Sequence, residues 1–230
     1  YFSNELSIVI VGDISKVEAE ALGRKISIGF PENKMAIAIP LVNYNKAQEV
    51  KISHPSKQAH LYYGAPIIKR GDPDFLTLYL GNYILGGGGF VSRLTQEIRE
   101  DRGLAYSVYS YFMPYIEAGP FKIGIQTKKN QVKEAKELIQ KTVSGFIKDG
   151  PTPNELKRAK DFMIGGFPLR LDSNKSILEY VSMMAFYKYP LDYLETFTKK
   201  IDKITAEEIK STFQRRVDMS KFSTVIVGSE

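Results

Sequence analysis

Ser7-Ile8-Val9-Ile10-Val11-Gly12-Asp13 returns near the other end of the chain as Ser223-Thr224-Val225-Ile226-Val227-Gly228-Ser229, 216 residues further on. A run of β-branched residues closed by glycine reads as a strand buried on both sides. Its return predicts a duplicated module of about 200 residues, a common domain size. The expectation is that residues 1–48 hold the last strand and helix of one module plus a linker. Residues 49–230 would then hold a complete second module.

Composition narrows the field further. The chain has 230 residues, 43% apolar and 25% charged, as in ordinary folded proteins. No apolar run approaches the ~18–20 residues needed to span a bilayer. With no cysteine, a disulfide scaffold, a thiolate zinc site, an iron–sulfur cluster and a cysteine nucleophile are excluded. The only histidines are His54 and His60. The net charge of +6 raises the question of nucleic acid. Its lysines are interleaved with acids, as in Lys133-Glu134-Ala135-Lys136-Glu137, which reads as a solvated helix face. No nucleic-acid-binding signature accompanies them, so a basic nucleic-acid-binding domain ranks last among the readings.

Local signals predict the element order. Ser15-Lys16-Val17-Glu18 is a capping box opening a helix over 16–28. Residues 33–48 read as linker, and strands follow at 49–53 and 58–64, with Pro66 limiting the second. Asp72 as cap and Pro73 at the first helical position start a helix that Gly86-Gly87-Gly88-Gly89 stops. A helix at 91–101 ends at Gly103, and strands at 104–115 and 119–127 form a hairpin. Helices are expected from 130 to 149 and over 153–165, 173–188, 190–201 and 205–215, before a closing strand at 222–228. Strands and helices are thus segregated. The expected fold is α+β, a mostly antiparallel sheet with helices packed on one face.

Most chemistries fail on spacing. The four glycines are not a phosphate loop, because a helix precedes them and no Gly-Lys-Ser/Thr follows. They read as a helix stop and flexible loop, or as a hinge or backbone surface lining a cleft. His54 and His60 are six residues apart with Pro55 between them, so they cannot share a helical face around zinc. His60 reads as a strand residue. No nucleophile elbow is present, and Met163, Met183, Met184 and Met219 read as core packing.

The most distinctive stretch is 86–110, Gly-Gly-Gly-Gly-Phe-Val-Ser-Arg-Leu-Thr-Gln-Glu-Ile-Arg-Glu-Asp-Arg-Gly-Leu-Ala-Tyr-Ser-Val-Tyr-Ser. It resembles the C-terminal-domain signature of the pitrilysin/insulinase family of zinc peptidases, which includes the mitochondrial processing peptidase. The resemblance extends to Gln58-Ala59-His60, the Thr152-Pro153-Asn154-Glu155-Leu156 helix start and the closing Val-Ile-Val-Gly. It implies paired homologous modules around a chamber. One of them holds zinc on an inverted H-x-x-E-H motif, and the other grips substrate backbone with an arginine and a tyrosine seven residues apart. Arg99 and Tyr106 have that spacing.

This chain lacks the zinc motif. The resemblance therefore implies a non-catalytic, substrate-clamping domain with no metal or catalytic residue of its own. Zinc would be held by a homologous partner domain or subunit, and the ligand would be an extended peptide. The rival is an assembly or peptide-binding module of the same fold without proteolysis, in which Arg99 and Tyr106 are dispensable. The lack of cysteine fits a periplasm and a cytosol equally. Analogy with bacterial relatives alone favours the periplasm.

Overall fold

The computed structural model describes residues 6–32, 39–42 and 46–229, so much of the 33–48 linker lies outside the described residues. Five strands, β1 (Glu49–Ser53), β2 (Gln58–Ile68), β3 (Ala105–Phe112), β4 (Gly119–Lys128) and β5 (Ser223–Ser229), form one sheet in the order β1-β5-β2-β4-β3. All pairings are antiparallel except β1 with β5. The α+β expectation holds.

Alternation along β2 explains how the sheet meets the helices. Ala59, Leu61, Tyr63 and Ala65 are buried, while His60, Tyr62, Gly64 and Pro66 between them are exposed or half-buried. Side chains of period two divide a sheet into a core face and an open face. On the core face lie α2 (Phe75–Asn82), α3 (Val132–Asp149), α4 (Pro153–Gly165), α6 (Tyr193–Lys203) and α7 (Ala206–Arg216). The amphipathic α3 buries Val132, Ala135, Leu138, Ile139, Val143 and Phe146 on one stripe. Phe146 meets Phe213 of α7 edge-on at 4.9 Å, and Phe121 of β4 stacks on Phe112 of β3 at 4.4 Å.

Several local expectations are met. The capping boxes at Ser15, Thr152 and Thr205 each carry both reciprocal hydrogen bonds. The helix α5 (Asn174–Phe186) starts from the Ser173 cap.

Other expectations are corrected. Residues 7–12 form no strand, although α1 (Lys16–Ser27) follows where expected. The same β-branched motif is a strand at β5, where β1 and β2 supply hydrogen-bond partners on both sides. At 7–12 the described residues offer none. Helix α1 buries no residue, leaving Val17, Leu22 and Ile26 exposed.

Strand β2 runs through Pro66 to Ile68. Strand β5 pairs only with His60–Gly64, so beyond that point Pro66 interrupts no ladder on the β5 side. Helix α2 starts at Phe75 rather than Pro73. Asp72 accepts from the Asp74 amide in a turn and, with Asp74, binds the Arg216 guanidinium at the end of α7. The expected helix at 91–101 is a 3-10 turn, Gly89–Val91, followed by a π-helical turn, Thr95–Glu100.

One charged pair fastens the glycine segment to the helical layer. Arg93 donates through Nε and Nη2 to the two Glu155 carboxylate oxygens at 2.7 Å each, and Nη2 also reaches the Gly150 carbonyl at 2.9 Å. The guanidinium lies 5.0 Å from the Phe146 ring centroid. Glu155 meanwhile closes the Thr152 capping box. Burial by itself would raise the Glu155 carboxyl, but Arg93 and the Thr152 donors outweigh it and hold the group at about 2.

A depressed folded-state value means the stabilisation is fully present above the ordinary carboxylate range near 4.5 and is lost as pH falls towards about 2. Arg93→Ala is expected to cost about 2–4 kcal/mol at neutral pH, since it strands a part-buried carboxylate. Between pH 5 and pH 2.5 that penalty should shrink, as read by urea denaturation of both proteins at each pH.

Candidate substrate-binding groove

β3 is an edge strand, and elements of the 86–110 segment pack beside it. Helix α2 continues into a π-helical turn, Tyr83–Gly87, that runs against this edge. Asn82 Nδ2 donates to the Ser110 carbonyl at 2.9 Å, and Ser110 Oγ donates back to Asn82 Oδ1 at 2.6 Å. Both residues are buried, so the pair satisfies backbone and side-chain groups that water cannot reach. The approach is close enough that a Cβ on Gly86 would stand 2.6 Å from Leu94 Cδ1 and nearer still to Ser110 Oγ. A methyl group there would require Ser110 and Leu94 to shift.

Between the glycine segment and β3 lies an open groove of about 450 Å³. Gly86, Gly87 and Gly89 form one wall, the side chains of β3 the other, and Arg99 and Tyr106 both line it. Gly88 lies alongside, packed on Tyr83.

Arg99 sits on the last turn of the Thr95–Glu100 segment. Gly103, at φ +61, ends that segment: its amide donates to the Arg99 carbonyl and the Leu104 amide to Ile98, both at 3.0 Å. The Arg99 guanidinium carbon stands 4.5 Å from the Phe90 ring centroid and 5.2 Å from that of Tyr106. Arg99 Nε lies 3.3 Å from Glu100 Oε1. Stacking of this kind fixes the plane of the cation.

Tyr106 owes its position to a break in the ladder. Ala105 pairs with Thr127 and Ser107 with the next residue back, Gln126, so Tyr106 is the extra residue of a β-bulge. Its side chain is 80% exposed. Bulges turn a side chain out of the regular alternation and recur beside binding sites. The arrangement places guanidinium and phenol donors side by side in a groove, a pair suited to holding an extended peptide carbonyl.

The histidines do not join them. His54 lies in the exposed β1–β2 connection and His60 on the open sheet face. Among the described residues no group of three or more His, Cys, Asp or Glu side chains is placed to hold a metal ion. The residues present therefore do not fit zinc. Three features of the groove escaped sequence reasoning: Phe90 stacked on Arg99, the Asn82–Ser110 pair and the bulge. The exposed aromatic after the glycine run was the one visible hint of the first.

A mostly antiparallel sheet with helices packed on one face is the fold of the inactive domain of peptidase family M16. The family described as Peptidase M16 inactive domain matches residues 1–163, and the chain belongs to it. The chain is 30% identical over 230 residues to the Helicobacter pylori protein named non-peptidase homolog YmxG, covering 99% of this chain and 52% of that protein. It is 40% identical over 121 residues to the Bacillus subtilis uncharacterized zinc protease YmxG, covering 53% of this chain and 29% of the relative. The solved peptidase M16 inactive domain from Pseudomonas fluorescens superposes with a TM-score of 0.89 at 36% identity, over 95% of this chain and 52% of that one. The chain thus spans about half the length of the curated relative it matches from end to end.

Gly86→Ala is expected to destabilise the protein by about 1–3 kcal/mol, since Ser110 and Leu94 must move to admit a methyl group. Gly145→Ala, where a Cβ meets nothing within 4 Å, serves as the control in α3. It should be neutral or slightly stabilising in the same denaturation experiment.

Proposed function

We propose that this chain is a non-catalytic, substrate-clamping module of an M16-type zinc peptidase. In this reading residues 49–230 are the clamp module, and residues 1–48 are the tail and linker joining it to a homologous module. That partner, on the same chain or another, holds the zinc and performs hydrolysis. An extended peptide lies in the groove beside β3, its backbone carbonyl accepting hydrogen bonds from the Arg99 guanidinium and the Tyr106 hydroxyl.

The single observation that carries the reading is the convergence of Arg99 and Tyr106. They come from different elements, a π-helical turn and a bulged strand, and share one glycine-walled groove. The stack on Phe90 orients the guanidinium before any peptide arrives, which lowers the ordering cost of binding. Donors held in advance are most effective where negative charge develops on a carbonyl oxygen. This chain's part is to bind and orient the peptide. No metal-dependent step runs through its residues.

The test is steady-state peptide hydrolysis by the full-length protein assembled with its zinc-bearing partner. Tyr106→Phe removes one hydroxyl and is expected to lower kcat/KM by about 10–100-fold, with kcat falling more than KM rises. Unchanged kinetics for both Tyr106→Phe and Arg99→Ala would favour an assembly module without a role in proteolysis. The H. pylori relative's name as a non-peptidase homolog keeps that second reading in view.

A further inference from the structure

The open face of the sheet carries a cluster that the clamp does not use. Lys122 of β4 stands opposite Tyr111 on β3 and Gly64 on β2. The next residue on the same face of β4, Gly124, stands opposite Tyr109 and Tyr62. Glycines at 64 and 124 add no side chain of their own to this face, so the three tyrosines and Lys122 meet there directly. Lys122 Nζ lies 4.1 Å from the Tyr62 ring centroid and 5.8 Å from that of Tyr111. Tyr109 and Tyr111 stack in parallel at 5.6 Å, with Tyr109 lying over Gly124.

Among the described residues Lys122 makes no ion pair. Burial pulls its pKa down, but the Tyr111 hydroxyl and the neighbouring phenols outweigh that, and the net direction is upward. The ammonium is therefore charged at neutral pH, with phenol oxygens beside it and, among the described residues, no carboxylate paired with it.

Tyr109 and Tyr111 also line the groove that holds Arg99 and Tyr106. The Lys122 cluster thus adjoins the groove through these two tyrosines. From Tyr106 to Tyr111 the strand advances five residues, roughly 16 Å at the usual rise, and an extended peptide covers the same span in about five residues.

We propose that Lys122, with Tyr62, Tyr109 and Tyr111, is an anionic subsite of the groove. It takes a peptide carboxylate about five residues from the carbonyl held by Arg99 and Tyr106. The ammonium supplies the opposite charge, and the tyrosine hydroxyls supply donors that fix its position. The substrate class becomes peptides with an Asp or Glu side chain, or a free C-terminus, at that distance. The proposal rests on the clamp reading for its origin of measurement and on Lys122 for its chemistry.

The experiment is fluorescence anisotropy with the full-length protein and labelled twelve-residue peptides. A single Glu is moved one position at a time through a Gln-containing, C-terminally amidated background. A second set carries a free C-terminus and no Glu, in lengths that step through the same positions. One Glu placement, or one length of the free-acid set, is expected to bind about tenfold tighter than its neighbours, which tells a side-chain carboxylate from a terminal one. Lys122→Met should erase that preference while leaving the neutral peptides unchanged, and Lys122→Glu should transfer it to a Lys-bearing peptide. Circular dichroism confirms that both variants fold. Equal affinity at every placement, or a preference that survives Lys122→Met, overturns the subsite.

Arg99→Ala separates the two readings. Uniform weakening of all peptides supports the clamp whatever Lys122 does. No weakening of any peptide overturns the clamp even where the Lys122 preference is intact.

Discussion

The close contact of Gly86 with Ser110 is the constraint on which the groove depends. A helical segment has to lie against the free edge of β3, and any side chain at that point would push it away. With no Cβ, the π-helical turn comes near enough for Asn82 to satisfy the Ser110 carbonyl that the missing neighbour strand would have used. The edge is thereby protected from pairing with other chains along part of its length. The remaining part is left open and becomes the groove. The helix widens to the π form through Gly86 and Gly87 and again at Thr95–Glu100. Such widened turns recur at functional sites.

Two further restraints hold the groove in shape. The bidentate Arg93–Glu155 pair ties the segment after the glycines to the start of α4, and Phe146 lies beneath the guanidinium. At the far end the Gly103 termination fixes where Arg99 stops and β3 begins. Arg93 and Arg99 are one and a half turns apart yet do different work. The first is spent on an internal carboxylate, and the second lines the groove between Phe90 and Tyr106.

The regular parts of the fold were legible because their causes are local. Period-two alternation in β2, the apolar stripe of α3 and the three capping boxes each depend on residues a few positions apart. The strand expected at 7–12 was not, because its motif is identical in kind to β5 and only the presence of flanking strands decides between them. The bulge at Tyr106 was likewise hidden: it is a mismatch of count between β3 and β4, some 20 residues away along the chain. Arg99 and Tyr106 were singled out through a family resemblance rather than through spacing. Lys122 left a signal that reasoning passed over. In Phe121-Lys122-Ile123-Gly124-Ile125 the alternation already placed a lysine and a glycine together on the side away from the core.

The strand order carries a consequence for how the chain reaches this fold. β1 and β2 are neighbours in sequence but do not pair, because β5 lies between them. β5 follows every other element along the chain. The β1 ladder therefore has no template until β5 is in place, and until then the backbone N–H and C=O groups of His60–Gly64 on that side of β2 are unpaired. Until β5 inserts, that bare edge is open to pairing with another chain. Ordering of β1 thus waits on β5, and loss of β5 would remove an interior strand, and β1's partner with it, rather than trim the rim of the sheet.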